Sequence, residues 1–503
     1  MRLLKNSIYG MFGVAVPIIV SLVSVPIFVS TIGLERYGVL VIAWVLLGYF
    51  GQADFGIGRA ITQRVSSRID QPRAALAQSV VSAFASSLGF SMIAGVLIYL
   101  SASYFFSGPF QIDEALRKEM MGALWALGLC VPVVAMSGVA AGALMGLEKF
   151  KLSSAGTMIG SSAVQILPLL YALFVDTHMA SLVVCSLAGR LLGFAILGGG
   201  VWHAFFRSAW QTPSLREMKA LTSFGLWVMV SALVGPLMLV GDRFVIGSLS
   251  GAVAVAAYSI PYALAVRTQV FPIAIVQALF PRFASETAEA SLRRSEDFTI
   301  FIGQLFAPVV IGLIAVSGPF LHLWLGENLD LRSIPIATVL FASIWINTVA
   351  NVPYAMIQAA GYPRFTALLH VAELPVYIGL LFVLGMNFGL VGFAIAFGLR
   401  CLIDFVALFI RSGIRRGPVI TALLPQAILI VLAVGVMSSV SSWLLGIGLG
   451  AAIALISCAF ALLQIPASVL DRLRAVPVLS SIMAVLKPLP IAPPDSHDHR
   501  RPS

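Results

Sequence analysis

Seven charged side chains interrupt otherwise apolar stretches of this chain: Arg190, Asp242, Arg243, Arg267, Glu373, Arg400 and Asp404. A charge placed in hydrocarbon costs several kcal/mol unless it is paired or hydrated, so each position points to anion binding, proton transfer or a compensating partner. Arg400 and Asp404 are four apart, share one helix face and can pair with each other. Asp242 and Arg243 fall near the end of their apolar run, where a long side chain snorkels to water. Arg190 and Arg267 have no carboxylate within one turn, so they need a remote partner, water or an anionic ligand. A carboxylate in a low-dielectric cavity can take up a proton near neutral pH, which makes Glu373 and Asp404, with the nearby His370, candidates for coupling.

Two uncharged stripes accompany these charges. Ser343, Asn347, Asn351, Tyr354 and Gln358 recur every three or four residues, as do Thr366, His370, Glu373 and Tyr377. Helix–helix hydrogen bonding accounts for an isolated Asn or Ser. A whole stripe ending beside a carboxylate points to a watery cavity. The candidate substrate-facing residues are therefore Arg59, Arg190, Arg267, Arg400, Asn347, Asn351 and Gln358.

The elements that must carry them follow from composition. Charged residues are 10% of the 503, against about 25% in soluble domains, and hydrophobic residues are 59%. Apolar windows give fourteen spans: 8–30, 38–53, 78–106, 120–145, 153–175, 179–201, 221–248, 253–277, 298–319, 333–358, 365–386, 389–410, 419–438 and 443–465. Continuous apolar runs without period-2 alternation select helices over a barrel, so the fold expected is an all-α polytopic membrane protein. With the N-terminus placed in the cytoplasm, 23 of the 31 Lys and Arg residues fall in inside segments. Only Arg36, Arg117, Lys118 and Arg332 fall outside. That bias sets both termini on the cytoplasmic side, and it reads the basic loops as topology and lipid contacts rather than as a nucleic-acid surface. The run from Ile8 to Val29 is too long for a signal peptide and is expected to remain as the first helix.

Weak echoes relate the halves. Phe12-Gly13 parallels Phe224-Gly225, Tyr37 parallels Tyr258, and Gln63-Arg64-Val65-Ser66-Ser67 parallels Pro281-Arg282-Phe283-Ala284-Ser285. They imply a parallel duplication of six-helix bundles, 1–215 and 216–415, around a central cavity. Two helices are appended over 416–470, followed by a Pro-rich, disordered cytoplasmic tail over 471–503. Ten prolines inside eight spans favour bends, which suits alternating access. Cys130, Cys185, Cys401 and Cys458 lie in apolar runs without metal or disulfide spacing. The sequence lacks a P-loop, a metal-ligand cluster and a filter-like motif, so no enzyme, cofactor, metal centre or channel is expected, and secondary transport of an anionic or amphipathic substrate remains.

The stretch Asn6 to Ser67, with Pro26, Ile32-Gly33-Leu34-Glu35-Arg36-Tyr37-Gly38 and Asp54-Phe55-Gly56-Ile57-Gly58-Arg59-Ala60, resembles the polysaccharide-biosynthesis (Wzx-like) oligosaccharide flippases. So do Gly241-Asp242-Arg243-Phe244-Val245-Ile246-Gly247, Tyr258-Ser259-Ile260, Leu279-Phe280-Pro281-Arg282, Trp324-Leu325-Gly326-Glu327 and Ala359-Ala360-Gly361-Tyr362-Pro363-Arg364. The resemblance implies the multidrug/oligosaccharidyl-lipid/polysaccharide exporter fold in a bacterial inner membrane. Its implied cargo is an undecaprenyl-pyrophosphate-linked oligosaccharide for O-antigen, capsule or exopolysaccharide, handed on to polymerase and chain-length machinery. Buried arginines would meet the pyrophosphate, and amide, hydroxyl and aromatic side chains the sugars. Lipid II flippases place cavity arginines on helices 1, 2 and 8. Here the first span has no charge, while Arg59 and Arg267 occupy comparable places on the second and eighth. Two alternatives remain open. A multidrug or cation antiporter would carry acids in the first six spans, and a glycan polymerase or ligase would carry a large outer loop.

Overall fold

Three helices are too long to cross a bilayer once. In the computed structural model, which describes residues 2–52, 56–207, 211–440, 442–466 and 468–469, α1 (Arg2–Gln52), α8 (Leu215–Arg267) and α12 (Pro363–Ser412) run for 51, 53 and 50 residues. At 1.5 Å per residue each would extend about 75 Å, against roughly 30 Å of hydrocarbon. Each instead contains one glycine whose backbone leaves the helix: Gly33 (φ 77°, ψ 164°), Gly251 (φ 81°, ψ −179°) and Gly389 (φ 59°, ψ −141°). That region of backbone space is essentially closed to residues with a Cβ. The chain folds back there. Phe28 and Trp44 pack with ring centroids 5.4 Å apart, and Tyr258 reaches Asp242 at 2.8 Å, where straight helices would hold each pair about 24 Å apart.

The other elements are α2 (Ile57–Ser66), α3 (Arg73–Ser107), α4 (Glu114–Met121), α5 (Leu124–Gly146), α6 (Phe150–Phe174) and α7 (Met179–Val201). They continue with α9 (Val270–Ser285), α10 (Ala288–Leu325), α11 (Ser333–Ala359), α13 (Arg416–Ser439) and α14 (Trp443–Gln464). Eleven helices among the described residues are long and apolar enough to cross a membrane. Dividing α1, α8 and α12 at their glycines gives fourteen apolar legs, so the protein is an all-α polytopic membrane protein with about fourteen spans. Exposed Leu323, Leu444, Leu463 and Val431 make up part of its lipid-facing surface. The chain reversals in α1, α8 and α12 occur at glycine rather than at proline. Pro17, Pro26, Pro132, Pro168, Pro308, Pro353 and Pro375 all sit inside continuous helical segments.

The duplication is visible in these breaks. Gly33 and Gly251 stand 218 positions apart, the offset that relates Gln63 to Pro281. Both second legs are interrupted again, before α2 in the first half and at Thr268-Gln269 before α9 in the second. The two glycine turns lie on one face. A Cβ added at Gly38 would come 1.9 Å from the Ala252 carbonyl oxygen, and the amides of Gln111 and Ala252 bond to Gly247 and Gln111 across the same place. Hairpins that turn at one face have their first legs pointing the same way, as a parallel repeat requires.

Packing runs both within the two halves and between them. In the first, α1, α2, α3, α5, α6 and α7 pack on one another; in the second, α8 packs on α11 and α12, while α10 packs on α11, α13 and α14. The halves meet through α1 and α3 against α8. On the face opposite the glycine turns, the segment leading into α8 is fastened to the first half. Arg64 pairs with Glu217 at 2.7 Å, Arg68 joins at 3.4 Å, and the Ser214 amide donates to Ser82 Oγ. The expected disordered tail, 471–503, lies outside the described residues.

Candidate functional site

The intramembrane charges fall into four groups. Arg190, on α7, lines a cavity of about 410 Å3 between α5, α6 and α7, together with Ser137, Thr157, Ser161 and several glycines. No carboxylate lines it, and the Arg190 Nε is buried without a hydrogen-bond partner. A guanidinium held this way can accept a planar or tetrahedral oxyanion through paired N–H donors, with hydroxyls to fill the remaining acceptors.

Arg267 ends α8, where the eighth span breaks. Its Nη2 donates to Ser21 Oγ of α1 at 2.6 Å, and the side chain lines a mostly apolar pocket of about 290 Å3 bounded by α1, α8, α10 and α11. The arginine therefore sits at the seam between the halves. Trp324, at the end of α10, also crosses that seam, donating to the Leu22 carbonyl of α1 at 2.9 Å. Arg59 stands exposed on α2.

The third group belongs to α12. His370, Glu373 and Asp404 each bring one ligand atom within 4.8 Å of the others, the only such grouping among the described residues, and close enough to share a proton or a small cation. His370 Nε2 lies 3.7 Å from Asp404 Oδ1. Glu373 and Asp404 are 4% and 5% exposed, and both Glu373 oxygens and Asp404 Oδ1 lack a hydrogen-bond partner. Two carboxylates buried so cost several kcal/mol unless a proton or a cation joins them.

The Arg400–Asp404 pair that four-residue spacing allows does not form. Arg400 Nε and Nη1 have no partner, although both Asp404 and Glu373 lie within electrostatic range. Helical spacing makes such a pair possible, but Asp404 is drawn to His370 on the other leg of the hairpin.

Snorkelling at Asp242 and Arg243 is likewise overturned. The two are 0% and 6% exposed, and Arg243 Nη1 donates to Asp242 Oδ1 at 2.8 Å. Tyr258 Oη donates to Asp242 Oδ2 at 2.8 Å, and the guanidinium lies 4.1 Å from the Tyr262 ring centroid. Folding at Gly251 brings these tyrosines back onto the acid, which the linear position near a span end conceals. The echo of Tyr37 in Tyr258 and the Tyr258-Ser259-Ile260 landmark marked Tyr258 in the sequence, but neither pointed to Asp242 as its partner.

The α11 stripe divides. Ser343 bonds its own helix at Val339, and Asn347 accepts from Gln269 at 2.8 Å and contacts Cys401, so both serve packing rather than a cavity. Asn351, Tyr354 and Gln358 line a separate cavity of about 460 Å3 against Phe280 and Gln277 of α9, the latter a residue the sequence reading passed over. An amide inside the apolar run Val270–Phe280 was the signal available for Gln277.

A model of the polysaccharide biosynthesis protein family matches residues 3–287. The chain belongs to that family. A relative from Shigella flexneri, named "Putative O-antigen transporter", is 28% identical over 412 residues, 81% of this chain and 97% of its own length. Among solved structures, the lipid II flippase MurJ in its inward closed conformation superposes with a TM-score of 0.67 at 14% identity, covering 91% of this chain and 98% of that one. An inward-facing multidrug resistance MATE family transporter of the MOP superfamily superposes at 0.59 and 17% identity, covering 80% and 98%. At these identities the structures establish the fold, which this member of the polysaccharide biosynthesis family shares.

Proposed function

We propose that the protein flips a lipid-linked oligosaccharide repeat unit across a membrane for surface polysaccharide synthesis. The family and the transporter named for O-antigen support this class of cargo. In finer detail, the cargo is an undecaprenyl-pyrophosphate-linked unit moved from the inner to the outer leaflet of a bacterial inner membrane. Both termini are cytoplasmic, and polymerase and chain-length machinery act downstream. The working parts are the bundles 1–215 and 216–415, with 416–470 appended.

The observation that carries the reading is Arg190, a cation without a carboxylate in a hydroxyl-lined cavity. Pyrophosphate matches that chemistry, and Arg267 at the seam adds positive field between the halves. Protonation of the Glu373–Asp404–His370 cluster supplies the driving step. The test is export of surface polysaccharide by Arg190→Gln and Arg267→Gln variants kept at wild-type protein level. A loss of at least tenfold is expected from each, and normal export removes that arginine from the mechanism.

The same acidic cluster favours one second reading, a small-cation antiporter in which the cluster is the cargo site. The free Arg190 argues against it. Cation uptake that persists without any lipid-linked glycan would favour it.

A further inference from the structure

We propose that the cleft between α9 and the end of α11 is a glycan subsite, which takes one neutral sugar ring of the cargo against Tyr354. This rests on the oligosaccharide-flippase reading above. The cleft measures about 460 Å3, inside the range of roughly 300–1,000 Å3 usual for small-ligand sites. Its polar lining is three amides and a phenol, Gln277, Asn351, Gln358 and Tyr354, and no charged side chain lines it.

Those amides are available. The Gln277 side chain makes no hydrogen bond among the described residues, and Gln358 lies against the Tyr354 hydroxyl and reaches Thr366 at 3.4 Å. Asn351 uses Nδ2 on the Asn347 carbonyl at 3.0 Å, which leaves its Oδ1 to accept. An amide offers both donors and an acceptor, so it can meet a hydroxyl in either sense. The rest of the lining is apolar and aromatic, including Phe280 and the Tyr354 ring. A pyranose has C–H faces for such surfaces and a rim of hydroxyls for such amides. A phosphate or an ammonium group would find no opposite charge here.

Tyr354 is held for this task. Its ring stacks on His370 with centroids 5.9 Å apart and planes 10° from parallel. One ring face is therefore taken, and the side lining the cleft is fixed in place. Fixing the wall beforehand reduces the ordering cost of binding. The α9 wall is brought opposite by the break at Thr268-Gln269, without which the eighth span would continue straight past α11.

The experiment measures equilibrium binding of the full-length protein in nanodiscs. One probe is undecaprenyl diphosphate bearing the complete repeat unit, extracted from a host lacking this protein, and the other is bare undecaprenyl diphosphate. Wild type is expected to bind the glycosylated lipid at least tenfold tighter. The Tyr354→Ala, Gln277→Ala double variant loses that advantage for the glycosylated lipid only, and Tyr354→Phe keeps it. A double variant with wild-type affinity for the glycosylated lipid, or with equal losses on both probes, overturns the subsite and leaves the flippase reading standing. A wild type that binds both lipids equally overturns the subsite as well. Failure to bind either lipid overturns the flippase reading and the subsite with it.

Discussion

His370 Nε2 stands 3.7 Å from Asp404 Oδ1, although a straight α12 would hold the two about 50 Å apart. The fold at Gly389 makes them neighbours and adds Glu373 to the same buried group. If this group takes up the proton that drives export, Glu373→Gln and Asp404→Asn should each remove the dependence of export on the pH gradient. Transport assayed in vesicles with and without an imposed gradient checks this. A Glu373→Gln variant that keeps the wild-type dependence excludes that residue from coupling.

The hairpin itself depends on a backbone only glycine adopts. Gly389→Ala should cost about 1–3 kcal/mol through strain at φ 59°. Gly379→Ala, in the same helix with open space around its Cβ position, should be neutral or stabilising by about 0.5–1 kcal/mol. Thermal unfolding in detergent compares them, and equal melting temperatures would contradict the assignment.

How much of this was legible in the sequence differs from residue to residue. The fourteen apolar legs and their parallel repeat follow from hydropathy and from the Tyr37/Tyr258 and Gln63/Pro281 echoes, because bilayer thickness dictates span length. The convergence of Glu373 and Asp404 was half legible: spacing placed each in a span, but pairing across a fold-back depends on Gly389, whose role no periodicity reveals. Asp242 and Asn347 were misread for the same reason. Their partners Tyr258 and Gln269 arrive from across a chain reversal or a helix break.

The glycine turns also seal one face of the seam. A Cβ at Gly38 would collide with the Ala252 carbonyl at 1.9 Å, so Gly38→Val should push the α1 and α8 turns apart at a cost of about 1–3 kcal/mol. Faster hydrogen exchange around 34–42 and 250–258 is the expected signature, and unchanged exchange would show that this contact does not hold the seam closed.

At that same face, Glu119 of α4 takes both Arg36 Nη groups at 2.6 and 2.8 Å and the Met179 amide at 2.7 Å. The hydrogen bonds from Arg36 hold its carboxyl below the usual carboxylate range. A lowered folded-state value means the clamp stabilises fully above the ordinary carboxylate pKa of about 4.3 and fades as pH falls through the lowered value. The destabilisation caused by Glu119→Gln should therefore be constant from pH 6 to 8 and shrink on acidification. Melting curves across that series test it; a penalty that grew at low pH would have the wrong sign.

The central claim is tested most directly by deleting the gene and analysing the lipid-linked glycans that accumulate. The account predicts a finished repeat unit on its undecaprenyl carrier, confined to the cytoplasmic leaflet and cleared when the wild-type chain is restored but not the Arg190→Gln variant. Accumulation of an unfinished intermediate, or of a finished unit already in the outer leaflet, would contradict it.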